Sequence, residues 1–104
     1  MCQIIEKEAA MPFPPQTPRP FTMTKVQELN PNQIGCYGLM KVGEWIYVGK
    51  GDIRLRLLAH LNGDNPCIAR RGPTHWVDVV TTDYDAEEER LLRELTPTCN
   101  RTAG

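Results

Sequence analysis

Apolar residues fall into short runs after residue 33 and thin out before it. Two of these runs, 34–40 and 45–48, flank a turn containing Gly43 and predict a β-hairpin. Gly49, Lys50 and Gly51 break the second strand, and Asp52 then stands at an N-cap position. It precedes a helical stretch over 53–62, with Ile53, Leu57 and Leu61 in one stripe and Leu58 widening it. Gly63, Asp64, Asn65 and Pro66 end that helix, and 63–73 reads as a loop. Residues 75–82, with Trp76, Val77, Val79 and Val80, predict a third strand. Asp83 or Asp85 caps a last helix over 86–95, which stops before Pro97. The order β-β-α-β-α describes one compact α+β unit.

Residues 1–33 read differently. Pro12, Pro14, Pro15, Pro18 and Pro20 predict an irregular, extended lead segment, with a short helix over 24–29 that stops before Pro31. The expected division is therefore a Pro-rich lead over 1–33 and a folded domain over 34–104. At 104 residues there is room for one core and no second lobe. The four cysteines, Cys2, Cys36, Cys67 and Cys99, form no C-x-x-C pair, which argues against an ordinary zinc site. No signal-peptide pattern and no apolar run of membrane-spanning length is present. The expectation is a cytoplasmic protein with reduced thiols, Cys67 and Cys99 serving as small packing residues.

Three placements run against simple core patterning. On the last helix Tyr84, Glu88, Leu91, Leu92 and Leu95 share one stripe, so a carboxylate sits among leucines. Such a group costs several kcal/mol (roughly) unless paired or bound to a cation. On the first helix Arg56 and His60 stand at i and i+4, a pair able to clamp a phosphate and handle a proton. In the hairpin, whether Tyr37 and Tyr47 share a face depends on turn length: an even loop sets them on opposite faces, and an odd loop, such as three residues with Gly43 left-handed, sets them on one. Each placement also has an ordinary explanation: a glutamate paired with arginine, a solvated Arg/His pair, packing tyrosines.

Net charge is −1, which by itself does not point to nucleic acid. The charges are unevenly distributed, however. Lys50, Arg54, Arg56, Arg70 and Arg71 outnumber Asp52 and Asp64 in the middle of the chain, and acids dominate over 78–94. A basic stretch beside an acidic one suits a phosphate site that also holds a cation.

Taken in order, these residues resemble the GIY-YIG nucleases. Gly35-Cys36-Tyr37 and, ten residues later, Tyr47-Val48-Gly49 resemble the tripeptides that name the family. The stretch over 47–57 resembles its passage from second strand to first helix, with Arg56 at the essential arginine and His60 one turn later. Glu88, Leu91, Leu92, Pro97 and Asn100 resemble its closing metal-glutamate and asparagine segment. Cys36 and Val48 replace more usual aliphatic residues, and the connection from Gly49 to Arg56 is one residue shorter than in many relatives.

The resemblance implies a three-stranded antiparallel sheet flanked by helices and a metal-dependent endonuclease that hydrolyses phosphodiesters, DNA in particular. It implies Tyr37, Tyr47, Arg56, His60, Glu88 and Asn100 as catalytic residues and Gly35 and Gly49 as motif glycines. Glu88 would be the one protein ligand of Mg²⁺ or Mn²⁺, and Arg56 would stabilise the charged transition state. The general base would be Tyr37, Tyr47 or His60, with Tyr47 favoured on family grounds and His60 aiding proton transfer. Lys50, Arg54, Arg70 and Arg71 are expected to follow the phosphate backbone. The expected partners are nucleic acid and either a second copy of the chain or a separate specificity subunit. The alternative is a module of the same fold that binds nucleic acid or protein without catalysis.

Overall fold

The computed structural model describes residues 12–100, which form four strands and four helices. In chain order these are β1 (Arg19–Pro20), α1 (Met23–Gln27), β2 (Ile34–Lys41), β3 (Glu44–Asp52), α2 (Ile53–Leu61), α3 (Pro66–Arg71), β4 (His75–Val80) and α4 (Tyr84–Leu95). The strands make one antiparallel sheet in the order β1-β4-β2-β3.

The sheet therefore has four strands, where three were expected. The added strand, β1, pairs Arg19 with Trp76 and Pro20 with His75. It was hidden because it is two residues long and contains a proline. Proline has no N–H to donate, so it is tolerated at a sheet edge, which is where Pro20 lies. Further contacts fasten this edge. The Arg19 guanidinium lies 5.0 Å from the centre of the Trp76 ring and 3.2 Å from Asp78 Oδ2. The Gln16 amide donates to the Asp78 carbonyl (2.8 Å) and accepts from its N–H (3.0 Å). Phe13 is buried and stacks on Trp45. The described part of the lead segment is thus bonded into the domain, and 1–11 lie outside the described residues.

A second correction concerns 63–73, expected as a loop. Asn65 caps α3 by accepting from the N–H groups of Cys67 (2.9 Å) and Ile68 (3.2 Å), and Pro66 fills the first turn. The same Asn-Pro signal that ends α2 also starts a new helix. The early helix runs from Met23, capped by Thr22, and the last helix opens at Tyr84 rather than 86.

The thiols are the third correction. Cys67 and Cys99 form a disulfide with their Cα atoms 5.7 Å apart, and Cys36 is the free, buried cysteine among the described residues. The cross-link closes a span of 32 residues, worth about 3–4 kcal/mol by the chain-entropy rule. It ties α3 to the segment after α4. There Thr98 and Cys99 donate to the carbonyls of Trp45 and Ile46, so this segment covers the outer edge of β3.

Helices cover both faces of the sheet. One face carries Tyr37, Leu39, Ile46 and Trp76 under Val26 of α1, Ile53 and Leu57 of α2 and Ile68 of α3. The other carries Cys36, Val48 and Val77 under Phe13 and Leu91 of α4. No described helix is long and apolar enough to cross a membrane.

Candidate active site

The connection between β2 and β3 has two residues, Val42 and Gly43, because Lys41 pairs with Glu44. An even loop alone would set Tyr37 and Tyr47 on opposite faces. A bulge reverses the parity. Met40 pairs with Trp45 but Leu39 pairs with Tyr47, leaving Ile46 as the extra residue. Tyr37, two residues from Leu39, therefore points to the same face as Tyr47, and the ring centres are 6.3 Å apart.

Gly49 pairs directly with Tyr37 across the two strands. The tyrosine ring lies over it: a Cβ at Gly49 would overlap the Tyr37 hydroxyl and come within 2.9 Å of Tyr47 Cε2. Gly35 has a parallel reason one strand away, where a Cβ would run into the Val79 backbone and sit 2.9 Å from Val80 Cα. Both motif glycines are thus required by close approach.

α2 follows β3 at once, capped by Asp52, and turns His60 and Arg56 toward the tyrosines. Tyr37 Oη is 2.8 Å from His60 Nε2, and His60 Nδ1 is 2.8 Å from Asp64 Oδ1. The His60 ring also packs edge-on against Tyr47, with centres 5.2 Å apart. The Arg56 guanidinium lies 3.9 Å from Asp64 Oδ2, and its charge acts on the Tyr37 hydroxyl. An ionised carboxylate can only accept, so His60 carries its proton on Nδ1 and accepts from Tyr37 at Nε2.

Burial sets the protonation of this group. It pushes the Tyr37 hydroxyl well up, reinforced by Tyr47 and only partly opposed by Arg56, so Tyr37 keeps its proton. Burial also lowers His60 below its ordinary 6.5, partly offset by Asp64. With its side chain 1% exposed, His60 is neutral and enclosed, with Tyr37, Tyr47 and Asp64 against its ring. Tyr47 is half-buried, and Arg56 and Asp64, 41% and 36% exposed in their side chains, are open to solvent.

The His60 environment has a consequence for stability. An unfolded chain takes up the imidazole proton near 6.5, whereas the folded protein resists it. This stabilisation is therefore full above that pH and declines as pH falls toward the lower folded value. Urea unfolding from pH 7.5 to 5 is expected to show the decline, and His60→Gln is expected to flatten it. Equal slopes in the two proteins would contradict this role for burial.

Glu88 lies across β3 from the tyrosines, on the α4 side. The register alternates, so Lys50 points there while Gly49 faces Tyr37. Lys50 Nζ is 3.3 Å from Glu88 Oε1 and pairs also with Asp85, one turn earlier on α4. Those carboxylates hold the lysine charge above its ordinary range. The Glu88 side chain is 23% exposed, and the expected stripe of leucines exists beside it: Leu91 is buried, with Leu92 and Leu95 packed around it. Two carboxylates converging on one ammonium make a donor set that fits a hard divalent ion completed by water. No group of three or more metal-ligating side chains forms among the described residues, and such an ion does not need one.

Asn100 bonds to the backbone of Val48, accepting from its N–H (2.8 Å) and donating to its carbonyl (3.0 Å). It thereby pins the residue between Tyr47 and Gly49. Arg54 is on α2 with its Nε buried and unpartnered. Arg70 and Arg71 lie elsewhere. Arg71 pairs with Glu44 (3.6 Å) at the hairpin end of β3, five residues, or roughly 16 Å of strand, from Gly49. The Cys36 thiol, raised to about 11 by burial and donating to the Tyr84 carbonyl, is unreactive.

Asp64 is the member that the sequence reading missed, having been taken only as part of a helix terminator. Its i+4 spacing from His60 was visible. What sequence could not supply was the turn at Gly63, with φ of +84°, that returns Asp64 toward the ring. The chain matches no protein-family model and none of the curated proteins.

Proposed function

We propose that the chain is a metal-dependent phosphodiesterase of the GIY-YIG type acting on nucleic acid, DNA first among substrates. The observation that carries the reading is the convergence of Tyr37, Tyr47, Arg56 and His60, from three elements, around Gly49. Each of these positions matches a position in the family pattern.

Arg56, 41% exposed in its side chain, meets the phosphate and stabilises the charge that builds on it during displacement. Tyr47, half-buried on the same face as Tyr37, orients the attacking water and, once ionised to the phenolate, takes its proton. Tyr37 and His60, both buried and bonded to each other, support it from behind, His60 by packing against the Tyr47 ring. Glu88, with Asp85 beside it, would hold the Mg²⁺ or Mn²⁺ ion. When bound, such an ion polarises a phosphoryl oxygen and neutralises the leaving oxygen. Lys50 and Arg54 extend the site toward backbone phosphates. The disulfide persists best in oxidising surroundings and weighs against the cytoplasmic location expected from sequence.

A second reading is favoured by the Lys50 pairing. A lysine that neutralises Glu88 suits a module that binds nucleic acid without cutting it. Cleavage of supercoiled plasmid, single-stranded DNA and RNA, with Mg²⁺, Mn²⁺ or chelator, separates the two. Divalent-dependent cutting of at least one substrate is expected. Binding without cutting under every condition would replace the enzyme reading with the module.

A further inference from the structure

We propose that Asp64 is a positioning residue: it fixes the tautomer of His60 and, through it, the direction of the Tyr37 hydrogen bond, while its second oxygen holds Arg56. The proposal rests on the phosphodiesterase reading for its effect on turnover.

Tyr37, His60 and Asp64 form a chain of hydrogen bonds, and Arg56 pairs with the second oxygen of Asp64. A carboxylate can only accept, so Asp64 sets the direction of the chain from its end. Asp64 takes the proton-bearing Nδ1 of His60, which leaves Nε2 as the acceptor for Tyr37 O–H. Remove Asp64 and the Nδ1–H of a nearly inaccessible ring loses its acceptor. Moving the proton to Nε2 relieves that, but it aims a donor at Tyr37, whose own proton would then lose its partner. The Arg56 head would lose its carboxylate partner in the same step.

The local backbone is built for this contact. Asp64 N–H donates to the Ala59 carbonyl (3.2 Å), and Gly63 N–H to that of His60 (3.1 Å). Asp64 divides its two oxygens, one to His60 and one toward Arg56. The charged and titratable groups around His60 are Tyr37 from β2, Tyr47 from β3, Arg56 on its own helix and Asp64 after it. Asp64 raises the histidine and Arg56 lowers it. Losing the Asp64 charge therefore moves His60 protonation to lower pH.

The test uses Asp64→Ala and Asp64→Asn in the full chain, with long-range ¹⁵N–¹H correlation at His60 and pH profiles of plasmid cleavage. Asparagine keeps an acceptor for Nδ1–H and loses only the charge. Wild type and Asp64→Asn are expected to show the Nδ1-protonated ring, and Asp64→Ala a shift toward Nε2-protonated. The expected loss in kcat is about tenfold to a hundredfold for alanine and less for asparagine, with KM little changed. In both variants the acidic limb of kcat/KM moves to lower pH, which a merely structural lesion would not do. An unshifted tautomer in Asp64→Ala, or an acidic limb that stays in place in both variants, overturns the proposal. The tautomer reading needs no substrate. A wild type that cuts nothing while its Asp64→Ala ring shifts would sink the phosphodiesterase reading and uphold the hold of Asp64 on His60.

Discussion

Arg56→Ala is expected to lower kcat about 10²- to 10³-fold, the usual cost of losing one donor to a developing oxyanion. The guanidinium is half open to solvent, so it can meet a phosphate, while Asp64 pairs with it. Its exposure also keeps the cost in stability small, since exposed ion pairs contribute about 0–1 kcal/mol. Arg56→Lys should not restore the rate. A lysine has one point charge and cannot both pair with Asp64 and present a planar fork to phosphate. Steady-state cleavage beside thermal unfolding checks both halves. A variant with wild-type kcat, or one that loses activity because it unfolds, contradicts the role given to Arg56.

Gly49→Ala is expected to cost about 3 kcal/mol or more, at the high end for overpacking. The new Cβ would occupy the place of the Tyr37 hydroxyl. That hydroxyl cannot step aside cheaply: Tyr37 is fully buried and is held by His60. Gly43→Ala provides the comparison. It sits in the hairpin turn at a φ of +76° with nothing near its missing Cβ, so it should cost only about 1–2 kcal/mol of backbone strain. Urea unfolding of the two variants is the check. Equal destabilisation would mean that close approach at Gly49 is not what demands glycine.

The two predictions draw on parts of the molecule that were unequally legible from sequence. The Arg56/His60 pair and the Glu88 stripe could be read because the helix period fixes which side chains share a face, whereas the two tripeptides were legible only as a family resemblance. Whether Tyr37 and Tyr47 meet could not be read, because a bulge at Ile46 decides it and no residue there announces a bulge. Turn length, on which the sequence makes the pairing depend, is even here, and a bulge rather than an odd loop brings the two rings together. β1 escaped because two residues carry no period, and α3 because Asn65-Pro66 signals an end and a beginning alike. The Cys67–Cys99 disulfide spans 32 residues with no spacing motif, so reduced thiols were the natural expectation. Glu88 is instructive in another way. The ordinary explanation of a paired carboxylate holds in part, with Lys50 rather than an arginine as partner. The same convergence of Asp85 and Glu88 on one positive charge is what a divalent ion would exploit.

Glu88 therefore gives the most direct test of the central claim. Nicking of supercoiled plasmid would be followed for wild type and Glu88→Ala, each with Mg²⁺ and with EDTA, alongside their unfolding curves. Wild type is expected to cut, EDTA to abolish the cutting, and a Glu88→Ala protein that unfolds like wild type to show none. Undiminished cutting by the folded variant, or cutting by wild type in EDTA, would contradict the central claim.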